Sequence, residues 1–263
     1  MTELTIKIVN ADGEVLKERT DCDYADLTYG AEYAPGDKII IEASEADIPL
    51  KIQVDDALGM AMVLMKGRQL EYPVPFDSLK RSYSPKTFSG NRHYLFARTV
   101  STQEWNGYRN LALNPIDQRG EAQAYPHASA NCETRGESVF FAKNTIDNVT
   151  ANRSHGRWPF ESWGINMQED ACLKLEFGRE IIADRIVLHT RADFPHDNWW
   201  KNVRFTFSDG SSMQVPLEKS ERPHIIPVEG RVISWLVMDQ LIKGESESPF
   251  PALTQIEVFG QNK

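Results

Sequence analysis

The sequence predicts an all-β protein of the sandwich or jelly-roll kind. Hydrophobic and polar residues alternate with a period of two along much of the chain, as half-buried strands require. Turn signals such as Asp12-Gly13, Pro35-Gly36-Asp37 and Asp209-Gly210 separate the alternating runs. No amphipathic stretch long enough for a three-turn helix breaks the pattern.

In chain order, Leu4, Ile6 and Ile8 face one way while Thr5 and Lys7 face the other. Asp12-Gly13 turns the chain into Glu14–Glu18, and Pro35-Gly36-Asp37 leads into Ile39-Ile40-Ile41. Leu50–Val54 and Gly59–Met65 form a further pair around Asp55-Asp56. Prolines 73, 75 and 85 make 72–85 irregular or an edge. Residues 1–100 are therefore expected to form a small antiparallel β-sandwich. Gly107, Asn114-Pro115 and Gly120 mark a crossover over 101–120, which is grouped with the second domain, 101–263. Phe76, Tyr83, Phe88 and Tyr94 are expected to pack between the domains. Beyond the crossover, Ala171, Leu173, Leu175 and Phe177 alternate up to Gly178, and Arg185–Thr190 forms another strand. Val203, Phe205 and Phe207 run into Asp209-Gly210, and Met213, Val215 and Leu217 return, giving the strongest hairpin in the chain. Val232–Met238 and Ile256–Phe259 close the domain.

Composition narrows the function classes. The chain has 263 residues, 41% hydrophobic and 25% charged, so it can bury a core without staples. Its 29 basic and 38 acidic residues give a net charge of −9, which disfavours nucleic acid and anionic lipid as partners. Cys22, Cys132 and Cys172 are far apart and form no C-x-x-C pair, so no zinc ribbon or dithiol site is indicated. The segment MTELTIKIVN reads as a strand, with no positive stretch and no long apolar run of a secretion signal. No run of about 18 apolar residues is present to span a membrane. The expectation is a soluble, acidic, cytoplasmic protein.

Four segments in order resemble a known domain. NLAL at 110–113 with ASAN at 128–131 and Phe141–Asp147 is similar to its opening. LKLEFGREIIADRIVLHTR at 173–191, VRFTFSDGSS at 203–212 and ALTQIEVFG at 252–260 are similar to its central strands, its Asp-Gly turn and its closing strand. Residues from about 110 to 263 thus resemble the discoidin-like domain of coagulation factors V and VIII. The same galactose-binding-like fold serves family 32 carbohydrate-binding modules. The resemblance implies an eight-stranded jelly roll that binds ligands in loops at one end. It would also allow an extracellular location. It further implies a structural calcium ion, for which Asp147, Thr150 and Gln255 are the candidate ligands, with Glu257 as a substitute donor. Gln255 stands where the family has Glu, and Asn148 where it has Gly. Loss of a carboxylate weakens a site for a hard cation.

Two inter-strand segments, 152–163 and 191–200, hold four of the six tryptophans. Flat indoles suit the C–H faces of sugars, while Arg, Asn, Asp and His suit their hydroxyls. Trp158, Trp199 and Trp200 are the candidate stacking platforms. Arg153, His155, Arg191, His196, Asp197 and Asn198 are the candidate hydrogen-bonding partners. The resemblance implies that Trp163 plugs the core, and Arg191 is equally placed to brace a loop by pairing with Asp193 or Asp197. No His-Glu-x-x-His, nucleophile elbow, P-loop or G-x-G-x-x-G occurs. The leading expectation is a non-catalytic carbohydrate-binding protein. A protein-interaction or structural module and a glycoside-acting enzyme are the alternatives.

Overall fold

The structure, a computed structural model, describes residues 1–120 and 122–263. Strand makes up 47% and helix 8%, so the chain is all-β as the alternation implies. The first strands are β1 (Glu3–Val9), β2 (Val15–Cys22), β3 (Tyr24–Tyr29), β4 (Lys38–Ala43), β5 (Ile48–Gln53), β6 (Ala61–Met65), β7 (Gln69–Pro73) and β8 (His93–Thr99). β9 (Arg109–Asn110) and β10 (Ala124–Tyr125) lie in the connecting segment. Then follow β11 (His127–Ala130), β12 (Trp163–Gly164), β13 (Leu173–Thr190), β14 (Trp200–Phe207), β15 (Ser212–Pro216), β16 (His224–Lys243) and β17 (Ala252–Asn262).

The first unit is a sandwich of two antiparallel sheets, ordered β2-β1-β4-β7 and β10-β6-β5-β8-β3. Leu4, Ile6, Ile8, Ile39 and Ile41 of one sheet share a buried cluster with Leu27, Leu50, Ile52, Val63 and Leu95 of the other. Their side chains point inward because they occupy alternate positions on each strand. Phe88 belongs to this core, and Phe76 packs against it. Tyr94 lies on the outer face, its hydroxyl 2.8 Å from that of Tyr24. Of the four aromatics expected between the units, Tyr83 has a partner in the second, lying 4.3 Å beneath the Lys143 ammonium.

The second unit is an eight-stranded antiparallel sheet ordered β12-β17-β13-β16-β14-β15, with β9 paired to β17 and β11 to β13. β13 and β16 are 18 and 20 residues long, and register shifts between Glu176 and Ile181 and between Ala183 and Arg185 interrupt their pairing. Such irregularities bend long strands, so their two halves can enclose one core. Gly178 sits in the first shift with φ 69°, and a side chain there would strike the Tyr125 ring. Leu173, Leu175, Ile186 and Leu188 from both halves of β13 join Trp163, Trp200, Phe205 and Phe207 in a single cluster. The expected hairpin is present, with Val203 opposite Val215 and Phe205 opposite Met213.

The connecting segment weaves between the two cores. Leu111 and Ala112 pack in the second, then Ile116 and Ala124 in the first. Between them Asp117 and His127 form a buried pair, with 2.8 Å between Oδ1 and Nδ1. No helix in the described residues is long and apolar enough to cross a membrane.

Candidate functional site

Strand ends converge at one end of the second sandwich. Thr190 of β13 pairs with Leu253 of β17, and Leu253 pairs with Trp163 of β12. Loops from these strands, the turns at 134–140 and the loop before β14 enclose a cavity of about 560 Å³. Phe140, Phe160, Phe250, Ile165, Met167, Pro249 and Pro251 supply its apolar lining. Arg191, Asp197, His155, His196, Arg135, Asn166, Ser162 and Thr134 supply polar groups.

The charged part of the lining is tightly organised. Arg191 is 1% exposed, and its Nε lies 3.5 Å from Asp197 Oδ2. Its Nη2 donates to the Ser154 carbonyl and to His155 Nδ1, the latter at 3.3 Å. Asp197 Oδ2 also accepts from the Asp193 backbone N–H at 2.8 Å, and Asp197 Oδ1 lies 3.3 Å from His196 Nδ1. Burial pushes the Arg191 guanidinium below its ordinary value, although Asp197 and Asp193 oppose the shift. The His155 and His196 rings are 3.9 Å apart. Burial, and then the neighbouring His196, push His155 below its ordinary value.

Four of the nine expected ligand-binding residues line this cavity: His155, Arg191, His196 and Asp197. The other five do not. Arg153 is exposed and pairs with Glu221 at 3.3 Å. Trp158 is 38% exposed and borders a separate narrow cleft with Tyr83, Lys143 and Asp147. Asn198 is buried and serves as a loop brace. Its amide donates to the Gly244 and Ser248 carbonyls at 3.2 and 2.8 Å, and its oxygen accepts from the Trp199 N–H. Trp199 is half-buried, its ring against the Gly244 backbone where no side chain would fit. Trp200, expected as a platform, is fully buried 6.3 Å from Trp163, because the first residue of β14 points into the core. Trp163 is the expected plug, its indole N–H donating to the Cys132 carbonyl at 2.9 Å.

Sequence reasoning missed the phenylalanines. Phe250 is 49% exposed between Pro249 and Pro251, directly before the last strand. An apolar ring in a proline-bounded turn next to a strand was the available signal. Phe140 and Phe160 carried none, since an isolated Phe in a loop reads as core.

The calcium ligands implied by the resemblance meet only in part. In the orientation that satisfies both ends of its amide, Gln255 donates to Asp147 Oδ1 and accepts from the Asn148 N–H, both at 3.1 Å. Its N–H, not its oxygen, then faces the carboxylate, and Thr150 is exposed. The three residues present no oxygen cage to a hard cation. A second cation geometry is the group His155, His196 and Asp197, whose donor atoms lie within 4.8 Å of one another. The Arg191 guanidinium, 3.3 Å from His155 Nδ1, places a fixed positive charge at that point and opposes a metal ion.

No family model and no curated protein matches the chain. Among solved structures, it is similar to chitosan-binding module 1 of a chitosanase/glucanase from Paenibacillus sp. IK-5. The identity is 17%, with 58% of this chain and 99% of that chain covered at a TM-score of 0.41. A Streptococcus pneumoniae fucose binding module, SpX-3, is similar at 12% identity, covering 59% of this chain and 99% of that one, with a TM-score of 0.41. The family 32 module of NanJ from C. perfringens, solved in complex with galactose, is similar at 15% identity. There 50% of this chain and 91% of that one are covered, with a TM-score of 0.39.

Proposed function

We propose that the protein is a non-catalytic carbohydrate-binding protein whose sugar site is the cavity at the end of the second sandwich. The observation that carries this reading is the pairing of aromatic walls with a braced polar lining in one cavity of about 560 Å³. That size suits one or two sugar rings, within the range of about 300–1,000 Å³ usual for small-molecule sites. Phe250, 49% exposed, with Phe140 and Phe160 in the walls, offers apolar surface to sugar C–H groups, while His155, His196 and Asn166 offer hydrogen bonds to hydroxyls. The Arg191–Asp197 pair fixes the lining before the ligand arrives, which lowers the ordering cost of binding. The site lies wholly within residues 101–263. Two of the similar structures are named as chitosan- and fucose-binding modules and the third was solved in complex with galactose; those ligands belong to those proteins, and the reading here rests on the cavity.

A glycan array probed with the intact chain and with Phe250→Ala tests it. The intact chain binds a defined set of glycans, and Phe250→Ala weakens that binding about tenfold or more while Tm holds. Silence of the intact chain across the array, or equal binding by the variant, overturns the reading.

A further inference from the structure

We propose that the ligand is a linear oligosaccharide of about three sugars, held across two adjoining cavities; the proposal rests on the carbohydrate reading above. A second cavity, of about 300 Å³, adjoins the first. Ile165, Met167, Pro249 and Pro251 line both, so the two form one groove divided by a shared wall. If about 560 Å³ takes one or two rings, about 300 Å³ takes about one more. Beyond the wall the lining is new. Gln168 and Glu169 follow Met167 in the loop after β12, while Leu241 and Lys243 come from the end of β16. Glu169 and Lys243 are exposed and Gln168 is half-buried, so water on their polar ends can be exchanged for sugar hydroxyls. An amide, a carboxylate and an ammonium together donate and accept, which matches the double role of a hydroxyl.

The shared wall is apolar and wet. Met167 is 62% exposed, and Phe250, between the two prolines, is 49% exposed. Met167 is held there against its backbone preference. The Gln168 N–H donates to the Ile165 carbonyl at 2.9 Å, closing a turn in which Asn166 has φ 51° and Met167 has φ 57°. A long side chain is disfavoured in this left-handed region, where Gly or Asn is usual. The turn is also pinned from outside, because the Asn166 N–H donates to Thr134 Oγ1 at 2.9 Å. A strained, fixed turn that presents an apolar side chain to water adds little to the core. Between two cavities it gives the C–H face of a sugar a surface to cross. A single sugar in the first cavity leaves that surface wet. A chain that continues over Met167 covers it and reaches Gln168, Glu169 and Lys243.

A glycan array carrying linear gluco-, galacto-, manno- and N-acetylglucosamine ladders, from monosaccharide to hexasaccharide, tests the proposal, with calorimetry on the ladder that binds. The expected result is an affinity that rises about tenfold from disaccharide to trisaccharide and then levels off. The double variant Gln168→Ala/Lys243→Ala, with both side chains outside the core, brings the trisaccharide to within about twofold of the disaccharide. A flat ladder, a gain that climbs evenly to the hexasaccharide, or a bound set confined to monosaccharides, disaccharides or the terminal sugars of branched glycans overturns the two-cavity groove and leaves the carbohydrate reading standing. So does a length gain that the double variant keeps in full. An array with no bound glycan overturns both.

Discussion

The imidazole rings of His155 and His196 lie 3.9 Å apart beside the buried pair of Arg191 and Asp197. Burial and the neighbouring ring hold His155 below its ordinary value of 6.5. The folded chain therefore binds fewer protons there than the unfolded chain. Its contribution to stability is complete above the unfolded value and is lost as pH falls through the folded one. Tm should drop between about pH 7.5 and pH 5, and His155→Gln should flatten part of that drop. An acid slope identical in the variant would show that His155 does not couple to folding.

Trp158 and Trp200 should respond oppositely to truncation. Trp200 is fully buried against Trp163, so Trp200→Ala should cost about 3–5 kcal/mol in denaturant unfolding. Trp158 is 38% exposed and outside the cavity lining, so Trp158→Ala should cost about 0.5 kcal/mol and leave glycan binding intact. A loss of glycan binding in Trp158→Ala would move the site toward the cleft that borders Lys143.

Trp199 and Trp200 show how far the sequence could be read. Alternation located the strands because inward and outward positions differ chemically, as at Val203, Phe205 and Phe207. It could not locate the first residue of a strand. Trp199 and Trp200 differ by one position, and parity alone decides which ring enters the core. Irregular strands were equally hidden. β16 was visible only over Val232–Met238, because Pro227 and Gly230 break the pattern ahead of it although Ile226 and Val228 are buried. The polar half of the cavity was legible as a cluster of Arg, His and Asp. Its aromatic half was not, since Phe140, Phe160 and Phe250 are distant in sequence and meet only through the strand register that joins β12, β13 and β17.

Gln255→Glu should create a calcium dependence of stability. Asp147 already sits well above the carboxylate range because of burial and then nearby Glu161. A new carboxylate in place of the amide 3.1 Å from Asp147 would replace a hydrogen bond with repulsion. Thermal melts should show the variant about 2–8 °C below the native chain in chelator. Calcium at about 1 mM should recover most of that loss and leave the native Tm unmoved. A variant indifferent to calcium would mean that the backbone around Asp147 cannot open into an oxygen cage even with the charge restored.

The pair between Asp117 and His127 should govern how firmly the two units are joined. Asp117 Oδ1 lies 2.8 Å from His127 Nδ1, and Oδ2 accepts from the Ala128 N–H at 2.9 Å. Ile116, the residue before Asp117, is anchored in the first core, while Ala128, the residue after His127, is anchored in the second. The carboxylate therefore ties the point where the chain enters the first core to the point where it returns to the second. Both side chains are buried, so Asp117→Ala would leave an imidazole and a backbone N–H without an acceptor. The expected cost is about 3–5 kcal/mol, in the range for breaking a buried pair from one side. Asp117→Asn, which keeps an acceptor for one of the two donors, should lose less. Hydrogen exchange separates a tie from simple core damage. If the pair is a tie, Asp117→Asn speeds exchange first at Ala124 and Tyr125, whose strand pairs with Met65 and Leu64, while β13 amides keep their protection. Uniform acceleration across both sandwiches would instead mean that the units unfold as one block and that this pair has no special role in joining them.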